Sequence, residues 1–272
     1  MSKKWLDNKT IVITGASSGI GKELTKLFIA KNNCHVIGIA RSKDKMEKLI
    51  AELGEKAINF EYRLFDVSIE QNWIDFAENL KKPIDLLINN AGVLYKFVNF
   101  LNVPISVGKQ IMDTNFYSVV YGCKHILPKI NKRGGVVNIC SSDALLSVAG
   151  TNYYAASKGA VKSFTQSLAG EFPNCYIGCV FPGFTDTDIF RDVQFNNKEM
   201  RLLKKFISPC NKISTKIYNA ILKRKVYKVV GYDAKFFSFL TKSNPSSGAA
   251  FINKILEKSK LDVFSSVTNK NK

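Results

Sequence analysis

The sequence predicts an α/β fold in which helices cover both faces of a doubly wound, seven-stranded parallel sheet. Apolar runs rich in β-branched residues recur along the chain, at 10–14, 35–40, 58–65, 84–88, 135–140, 176–181 and 226–230. Helix-compatible segments separate these runs, and strands that alternate with helices build parallel sheets. Because no internal repeat, low-complexity tract or Pro/Gly/Ser-rich linker interrupts the 272 residues, we expect one domain over 1–272.

The first strand leads into a glycine-rich turn. Residues 14–21 read TGASSGIG, and the helix-compatible stretch behind them has apolar residues at Leu24, Leu27 and Phe28. Glycines let a pyrophosphate approach the backbone, and a helix N-terminus offers unpaired N–H groups and the positive end of the helix dipole. This order predicts a dinucleotide site, with contacts from Gly15, Ser17, Ser18, Gly19, Ile20 and Gly21. A plain turn with a Ser/Gly helix cap is the alternative, and the G-x-x-x-G-x-G spacing differs from the commoner G-x-G-x-x-G.

The second strand ends at Arg41, where nucleotide-binding folds contact the adenosine ribose. An acidic side chain there accepts hydrogen bonds from a 2′-hydroxyl, whereas an arginine binds a 2′-phosphate. The chain has no acid after this strand before Asp44. Arg41 therefore favours NADP(H) over NAD(H) as the cofactor, and a solvated Arg-Ser turn is the alternative interpretation.

Two further strands end in small polar residues. The fourth runs into NNAG at 89–92. Its short amides can hold neighbouring backbone groups, and Ala91 and Gly92 leave room for a flat ring system. By itself this segment is also typical of a turn. The fifth strand runs into Ser141 and Ser142, so both strand ends are candidates for a site.

Tyr154 and Lys158 are four residues apart in a stretch that is compatible with a helix. Positions i and i+4 lie on one helix face, so a phenol and an ammonium group would be neighbours. A free tyrosine has a pKa near ~10, and an adjacent cation favours the phenolate and lowers that pKa. The pair therefore predicts a tyrosine in an acid/base role. Tyr153 is a weaker candidate, because Ser157 and not a lysine follows it by four residues.

In this combination the motifs resemble those of the short-chain dehydrogenase/reductase family. The resemblance covers residues 10 to about 190 and rests on TGASSGIG (14–21), Asp66-Val67, NNAG (89–92), Asn115, Ser141, YAASK (154–158) and the run from Pro182 to Thr187. It implies a Rossmann-like domain that oxidises or reduces a carbonyl/alcohol pair with a nicotinamide cofactor.

The same resemblance assigns four catalytic residues. Tyr154 would exchange a proton with the substrate oxygen, and Lys158 would lower the Tyr154 pKa and hold the nicotinamide ribose. Ser141 would form a hydrogen bond with the substrate oxygen, and Asn115 would anchor a water beside Lys158. Ser142 competes for the serine role, since adjacent side chains of an extended segment face opposite sides. The thirteen-residue interval to Tyr154 matches the family for Ser141.

Further cofactor contacts also follow from the resemblance. Asp66 and Val67 would lie near the adenine, although an N-cap role for Asp66, shared with Ser68, is an equal alternative. The remaining residues would contact the nicotinamide and the phosphates. They are Asn90, Ala91, Gly92, Tyr154, Lys158, Pro182, Gly183, Thr185 and Thr187. The sequence does not show which of Thr185 and Thr187 makes the contact, and for Pro182-Gly183 a turn without a ligand is the alternative.

The charge is concentrated in the C-terminal part of the chain. The formal net charge is +18, and residues 201–272 carry sixteen Lys/Arg against three Asp/Glu. Residues 184–272 are expected to cover the substrate. Their basic and aromatic character allows an amphipathic region that binds anionic membranes or acidic substrates, or simply solvated lysine-rich helix faces. No nucleic-acid partner is expected, because no helix-turn-helix, zinc or RNP-like pattern occurs.

Several sequence patterns bear on the cellular compartment in which the protein is expected. No window of eighteen apolar residues occurs, and no apolar signal-peptide core precedes the first strand. The six cysteines lack C-x-x-C spacing, and the two histidines lack ligand partners in the sequence, so we expect no metal site. A cytoplasmic protein is the resulting expectation.

The variable loops 93–107, 143–152 and 184–210 are rich in apolar residues. In the resembled family such loops form the substrate pocket, so we expect a hydrophobic, steroid- or lipid-like ketone or secondary alcohol. The glycine-rich end that forms tetramers in many members is missing, which favours a homodimer. The alternative function is a nucleotide-binding sensor or scaffold at a membrane or polyanion surface, although the complete Asn-Ser-Tyr-Lys set argues for turnover.

Overall fold

The computed structural model describes residues 4–190, 207–241, 245–258 and 267. Within these residues one parallel sheet is formed by β1 (Thr10–Thr14), β2 (His35–Ala40), β3 (Phe60–Leu64), β4 (Ile84–Asn89), β5 (Ile130–Ile139), β6 (Tyr176–Pro182) and β7 (Tyr227–Val230), in the order β3-β2-β1-β4-β5-β6-β7. The predicted seven-stranded, doubly wound sheet is therefore confirmed. Residues 191–206 of the predicted substrate-covering region lie outside the described part. So do residues 242–244 and all residues beyond 258 except Val267.

The largest difference between the predicted and the observed strand boundaries is at the start of β5. β5 begins at Ile130, five residues before the predicted start at 135. Residues 131–133 are exposed and polar, and the pairing of β4 with β5 shifts its register between Ile84 and Leu86. An exposed, irregular strand extension carries no apolar pattern, so hydrophobicity alone could not reveal it.

Helices pack on both faces of the sheet. They are α1 (Gly19–Asn32), α2 (Lys43–Leu53), α3 (Glu70–Glu78), α4 (Ile105–Met112), α5 (Ser118–Ile126), α6 (Asn152–Glu171), α7 (Cys210–Leu222), α8 (Tyr232–Leu240) and α9 (Pro245–Lys258). Ile11 and Ile13 belong to the core that contains α1 and α7, whereas Val12 belongs to the core under α3, α5 and α6. Because successive strand residues face opposite sides, a strand that is buried on both faces is apolar throughout.

The sheet order reverses next to β1. Val12 pairs with Ile37 of β2 on one side and with Leu87 of β4 on the other. The connections that follow β1 and β4 therefore diverge and leave a crevice at the carboxyl ends of the strands, where open α/β sheets bind ligands. A third apolar cluster, which includes Phe97, Val148 and Phe237, packs at the mouth of this crevice.

No helix in the described ranges is long and apolar enough to cross a membrane. Those ranges also contain no group of three or more His, Cys, Asp or Glu side chains that could hold a metal ion.

Candidate active site

A cavity of about 570 Å³ occupies the crevice. It is lined mainly by residues at the ends of β1 to β6, together with Tyr154 and Lys158 of α6 and Phe237 of α8. All of the sequence-predicted site residues border it except Gly21 and Asn115, which lie behind its wall. The strand ends thus bring together residues that are more than 160 positions apart in the chain.

The glycine-rich turn depends on three glycines. Gly15 and Gly19 have φ values of +65° and +51°, in the left-handed region that favours glycine. A Cβ at Gly21 would lie 2.3 Å from the Gly15 carbonyl oxygen, so α1 packs against the turn only because this side chain is absent. The Ser18 N-cap makes no side-chain capping bond, which leaves the first N–H groups of α1 available to an anion.

The NNAG segment holds this turn from the β4 side. The Asn90 amide donates to the Thr14 carbonyl at 2.9 Å, and the backbone N–H groups of Asn90 and Ala91 donate to the Thr14 hydroxyl at 2.8 and 3.0 Å. These bonds join the carboxyl ends of β1 and β4 across the point where the sheet order reverses. The segment therefore fixes the floor of the cavity.

Arg41 and Asp66 meet at one end of the cavity. Their side chains approach to 3.5 Å, and the Arg41 side chain is 64% exposed. The other Asp66 oxygen accepts hydrogen bonds from the Ser68 N–H and hydroxyl at 2.9 and 2.7 Å. Burial by itself would raise the pKa of Asp66, but the Ser68 bonds and the Arg41 charge outweigh it and hold that pKa below its usual value. Ile69 is the N-cap of α3, so Asp66 closes the turn before the helix and does not cap it, contrary to the alternative from the sequence.

A second ion pair at this end was missed by the sequence analysis. Lys45 of α2 contacts Asp188 at 2.6 Å, and both residues border the cavity. Lys45 lies in the first turn of α2, four residues after Arg41, so a second basic residue close to the end of β2 was a signal in the sequence. Asp188 lies 143 residues away along the chain, and its position depends on the tertiary fold.

Thr187 lies closer to the glycine-rich turn than Thr185 does. A Cβ at Gly19 would come within 3.0 Å of the Thr187 methyl group. Thr185 is buried and donates to the Gly183 carbonyl at 2.8 Å. Gly183 itself packs against the Asp233 carboxylate of α8, which accepts a hydrogen bond from the Phe184 N–H at 2.6 Å. The structure thus places Thr187 beside the glycine-rich turn and Thr185 against Gly183, a difference that the sequence did not show.

Ser141, Tyr154 and Lys158 meet at the other end of the cavity. The Lys158 ammonium lies 5.9 Å from the centre of the Tyr154 ring and donates to the Ile139 carbonyl at 3.2 Å. The Ser141 side chain is close enough to the Tyr154 phenol to favour its ionised form. The serine that approaches the tyrosine is therefore Ser141, while Ser142 is buried in the cavity wall.

The expected lowering of the Tyr154 pKa does not occur in this structure. Burial raises that pKa above its usual value, and the Ser141 side chain only partly opposes the rise. Burial also lowers the pKa of Lys158. A desolvated pair favours its neutral forms, because a charge in a medium of low dielectric loses its hydration.

Asn115 connects three segments behind the cavity. It is fully buried in a π-helical turn, Asp113–Tyr117, between α4 and α5. Its amide bonds to both backbone groups of Val93 and to the Ser157 hydroxyl. Both amide hydrogens of the side chain are thus engaged, whereas its Oδ1 accepts one hydrogen bond and keeps a second lone pair. A Cβ at Gly92 would be 3.3 Å from both the Asn115 Oδ1 and the Lys158 Nζ, so this glycine lets the two groups approach each other.

Aromatic rings border the cavity on the side of α8. Phe184 stacks on Phe190 with 6.1 Å between ring centres, and Phe237 meets Phe184 edge-on at 6.4 Å. Phe97 is also buried there. Of the residues that the sequence suggested for an apolar pocket, Phe100 and Leu101 instead lie at the surface. Phe237 belongs to the region 184–272 that the sequence predicts to cover the substrate, and it reaches the cavity because α8 packs on β7.

The fold and this site define a Rossmann-like protein built for a dinucleotide, and comparisons with known proteins identify its family. The family model described as short chain dehydrogenase matches residues 9–198. Dehydrogenase/reductase SDR family member 7B of Xenopus laevis is 31% identical over 201 residues, which cover 69% of this chain and 62% of that protein. Benzil reductase ((S)-benzoin forming) IRC24 of Saccharomyces cerevisiae is 30% identical over 199 residues, which cover 68% of this chain and 75% of that protein.

A solved structure agrees with these matches. The crystal structure of the YIR035C short chain dehydrogenase/reductase from Saccharomyces cerevisiae superposes with a TM-score of 0.70 and 27% identity, over 81% of this chain and 95% of that one. The chain therefore belongs to the short-chain dehydrogenase/reductase family. It spans less than two thirds of the length of the Xenopus relative.

Proposed function

We propose that this protein is an oxidoreductase that transfers a hydride between NADP(H) and a carbonyl/secondary-alcohol pair. The observation that carries the proposal is that Ser141, Tyr154 and Lys158 meet at one end of a cavity that the glycine-rich turn also lines. The left-handed glycines and the free N-terminus of α1 suit a pyrophosphate, and Ala91 and Gly92 leave space for a flat ring.

The residues of the chain would handle the proton. When bound, the nicotinamide supplies or accepts the hydride. Tyr154 donates its phenolic proton to the carbonyl oxygen during reduction and takes it back during oxidation. Ser141 donates a hydrogen bond to the same oxygen, and the Lys158 charge stabilises the phenolate that remains. Asn115 holds the segment beside Lys158 and would anchor the water that returns the proton.

Cations at the Arg41 end support a preference for NADP(H). Arg41 and Lys45 border the cavity where the adenosine ribose would lie, and each is paired with a carboxylate, Asp66 or Asp188. A 2′-phosphate would compete for both cations through charge-assisted bonds. Asp66 and Val67 would border the adenine, and Pro182, Gly183, Thr185 and Thr187 would border the nicotinamide and the pyrophosphate.

The ring cluster around Phe184 supports a hydrophobic substrate. Stacked and edge-on rings accept a planar or extended apolar molecule, such as a steroid, lipid or aryl ketone. We propose that residues 1–272 form one dinucleotide-binding and catalytic domain, in which the part from 184 onward covers the substrate. A cytoplasmic homodimer is the proposed form.

The second candidate function is a sensor or scaffold that binds the nucleotide without turnover. Exposed aromatic residues on α8 and α9, namely Phe236, Phe239 and Phe251, lie on a basic part of the chain and favour peripheral contact with an anionic membrane. This contact is compatible with either function.

The direct test is a titration of the purified protein with NADPH and NADH, followed by reduced-nicotinamide absorbance with a carbonyl panel. The panel contains steroid, retinoid and aliphatic ketones and benzil. Binding of NADPH with consumption on any carbonyl supports the enzyme, whereas binding without turnover favours the sensor. Failure to bind either nucleotide would overturn the proposal.

A further inference from the structure

Asp143 is a buried carboxyl group next to the proposed catalytic serine. It is 7% exposed, borders the cavity and has no role in the hydride-transfer chemistry described above. Its backbone N–H donates to the Ser141 hydroxyl oxygen at 3.1 Å. Its carboxylate reaches forward to the Val148 N–H at 2.9 Å and to the Thr151 hydroxyl at 2.8 Å. Asp143 thus connects the serine to the residue that caps α6.

The connection spans the segment between the two proposed catalytic side chains. Thr151 is the N-cap of α6, and Tyr154 follows it by three residues. The Thr151 carbonyl accepts the Ala155 N–H at 2.8 Å, so this residue sets the first turn of the helix. Movement of the Asp143 carboxyl would therefore shift Ser141 and Tyr154 relative to each other.

The hydroxyl contacts of Thr151 indicate that the Asp143 carboxyl group carries a proton. Its oxygen lies 2.8 Å from the Asp143 carboxylate and 2.7 Å from the Val148 carbonyl, and both of these partners are acceptors when Asp143 is ionised. A hydroxyl has one proton to donate. Both short contacts are satisfied only if Asp143 is protonated and donates to Thr151, which then donates to Val148. Burial supports this state, since it raises the pKa of Asp143 to about 7.

We propose that Asp143 is a positioning residue that works as a neutral acid, whose proton joins the Ser141 turn to the first turn of the Tyr154 helix. When the proton leaves for solvent, the Thr151 hydroxyl must turn to the carboxylate, and the Val148 carbonyl loses its side-chain donor. This inference rests on the proposed function of the site, because it assigns Asp143 a role in the geometry of that reaction.

Loss of the proton also places a negative charge beside the phenol. Ionised Asp143 raises the Tyr154 pKa and so opposes the phenolate that alcohol oxidation requires. The titratable groups packed against the Asp143 turn include Tyr154 and Lys158 on α6, Cys140 directly after β5, Cys179 on β6, and Asp233 on α8. The Asp233 carboxylate is engaged with the Phe184 N–H.

Three variants test the proposal. Asp143→Asn keeps a donor to Thr151 and an acceptor for Val148 but cannot ionise, so it imitates the neutral acid. Asp143→Ala removes the side-chain hydrogen bonds to the Val148 N–H and to the Thr151 hydroxyl. Ser147→Ala is the matched control, because Ser147 bonds only to the Asp143 backbone carbonyl, at 3.2 Å. Circular dichroism and NADPH binding establish that each variant is folded.

Asp143→Ala should lower kcat on the order of 10²-fold, as a displacement of about 1 Å at a reacting centre does. Asp143→Asn should restore kcat, and its alcohol-oxidation profile should rise at lower pH than that of the wild type. Ser147→Ala should match the wild type. Equal losses in Asp143→Asn and Asp143→Ala, or a normal kcat in Asp143→Ala, would overturn the proposal.

An infrared difference spectrum between wild type and Asp143→Asn tests the proton without turnover. The carbonyl band of a protonated carboxylic acid should be present below neutral pH and should disappear as the pH rises through about 7. Absence of that band at acidic pH would contradict a neutral Asp143. If the wild type shows the band but reduces no carbonyl, the proposed function fails and the protonation of Asp143 stands.

Discussion

The Asn115 side chain forms hydrogen bonds with both backbone groups of Val93. Its Oδ1 accepts the Val93 N–H at 2.7 Å, and its Nδ2 donates to the Val93 carbonyl at 2.9 Å. A third bond reaches the Ser157 hydroxyl at 3.0 Å, directly before Lys158. One buried amide therefore ties the loop after β4 to the helix that carries the proposed catalytic pair.

Asn115→Ala should consequently reduce both stability and turnover. Unpaired buried groups cost about 1–3 kcal/mol each, so we expect a loss of that order in the free energy of unfolding and a lower kcat. Urea unfolding and steady-state kinetics measure the two effects. Asn131→Ala removes an exposed amide that bonds to Asp85 and serves as the control. If Asn115→Ala has the same urea unfolding midpoint and the same kcat as the wild type, this role of Asn115 is contradicted.

Gly21→Ala and Gly159→Ala should have opposite effects, although both glycines lie in helices. The new methyl group at Gly21 would meet the Gly15 carbonyl oxygen at 2.3 Å, which forces the glycine-rich turn to move. At Gly159 no atom lies within 4 Å, and alanine in a helix interior stabilises by roughly 0.5–1 kcal/mol. Thermal unfolding and NADPH titration test the pair. Similar results for both variants would show that the turn tolerates a side chain.

Arg41→Ala should weaken NADPH far more than NADH. Loss of a charge-assisted hydrogen bond to a phosphate costs about 1.5–3 kcal/mol, which is roughly 10- to 150-fold in Kd. Fluorescence titration with both nucleotides gives the ratio. Lys43→Ala is the matched control, since Lys43 is exposed and pairs with Glu47 of its own helix. An equal effect on the two nucleotides would exclude Arg41 as the 2′-phosphate contact.

Asp143 should make stability depend on pH. Its pKa is about 7 in the folded state and near ~3.9 in an unfolded chain, so the folded state binds the extra proton between these values. The free energy of unfolding therefore falls as pH rises through this window and levels off above it. The free energy of unfolding of Asp143→Asn relative to that of the wild type should therefore increase by up to about 3 kcal/mol as the pH rises from about 5 to about 8. Urea unfolding at the two pH values measures this change. If the variant and the wild type differ in unfolding free energy by the same amount at both pH values, Asp143 has an ordinary pKa.

The strands were predictable because burial on both faces makes them apolar throughout, as in Ile11 to Ile13. The convergence of the candidate site residues on one cavity was predictable for a related reason. Parallel strands end at one edge of the sheet, so motifs at strand ends such as Gly15, Asn90 and Ser141 converge without knowledge of the loops.

What the sequence could not show are contacts between remote segments and their electrostatic consequences. The pair of Lys45 with Asp188 joins α2 to the segment after β6, and Phe237 reaches the cavity through α8. Spacing placed Lys158 beside Tyr154, but the direction of the Tyr154 pKa depends on how deeply the phenol is buried. Neither burial nor such distant pairing has a local sequence signal.

The most direct test of the proposed function compares wild type with Tyr154→Phe, in NADPH affinity and in carbonyl reduction. Removal of a general acid lowers rates by roughly 10²–10⁴-fold, whereas the cofactor contacts stay in place. Tyr153→Phe is the control, since that ring packs against Phe100 and Gly108. We expect Tyr154→Phe to bind NADPH like the wild type and to lose turnover. Turnover equal to that of the wild type would contradict the acid/base role of Tyr154.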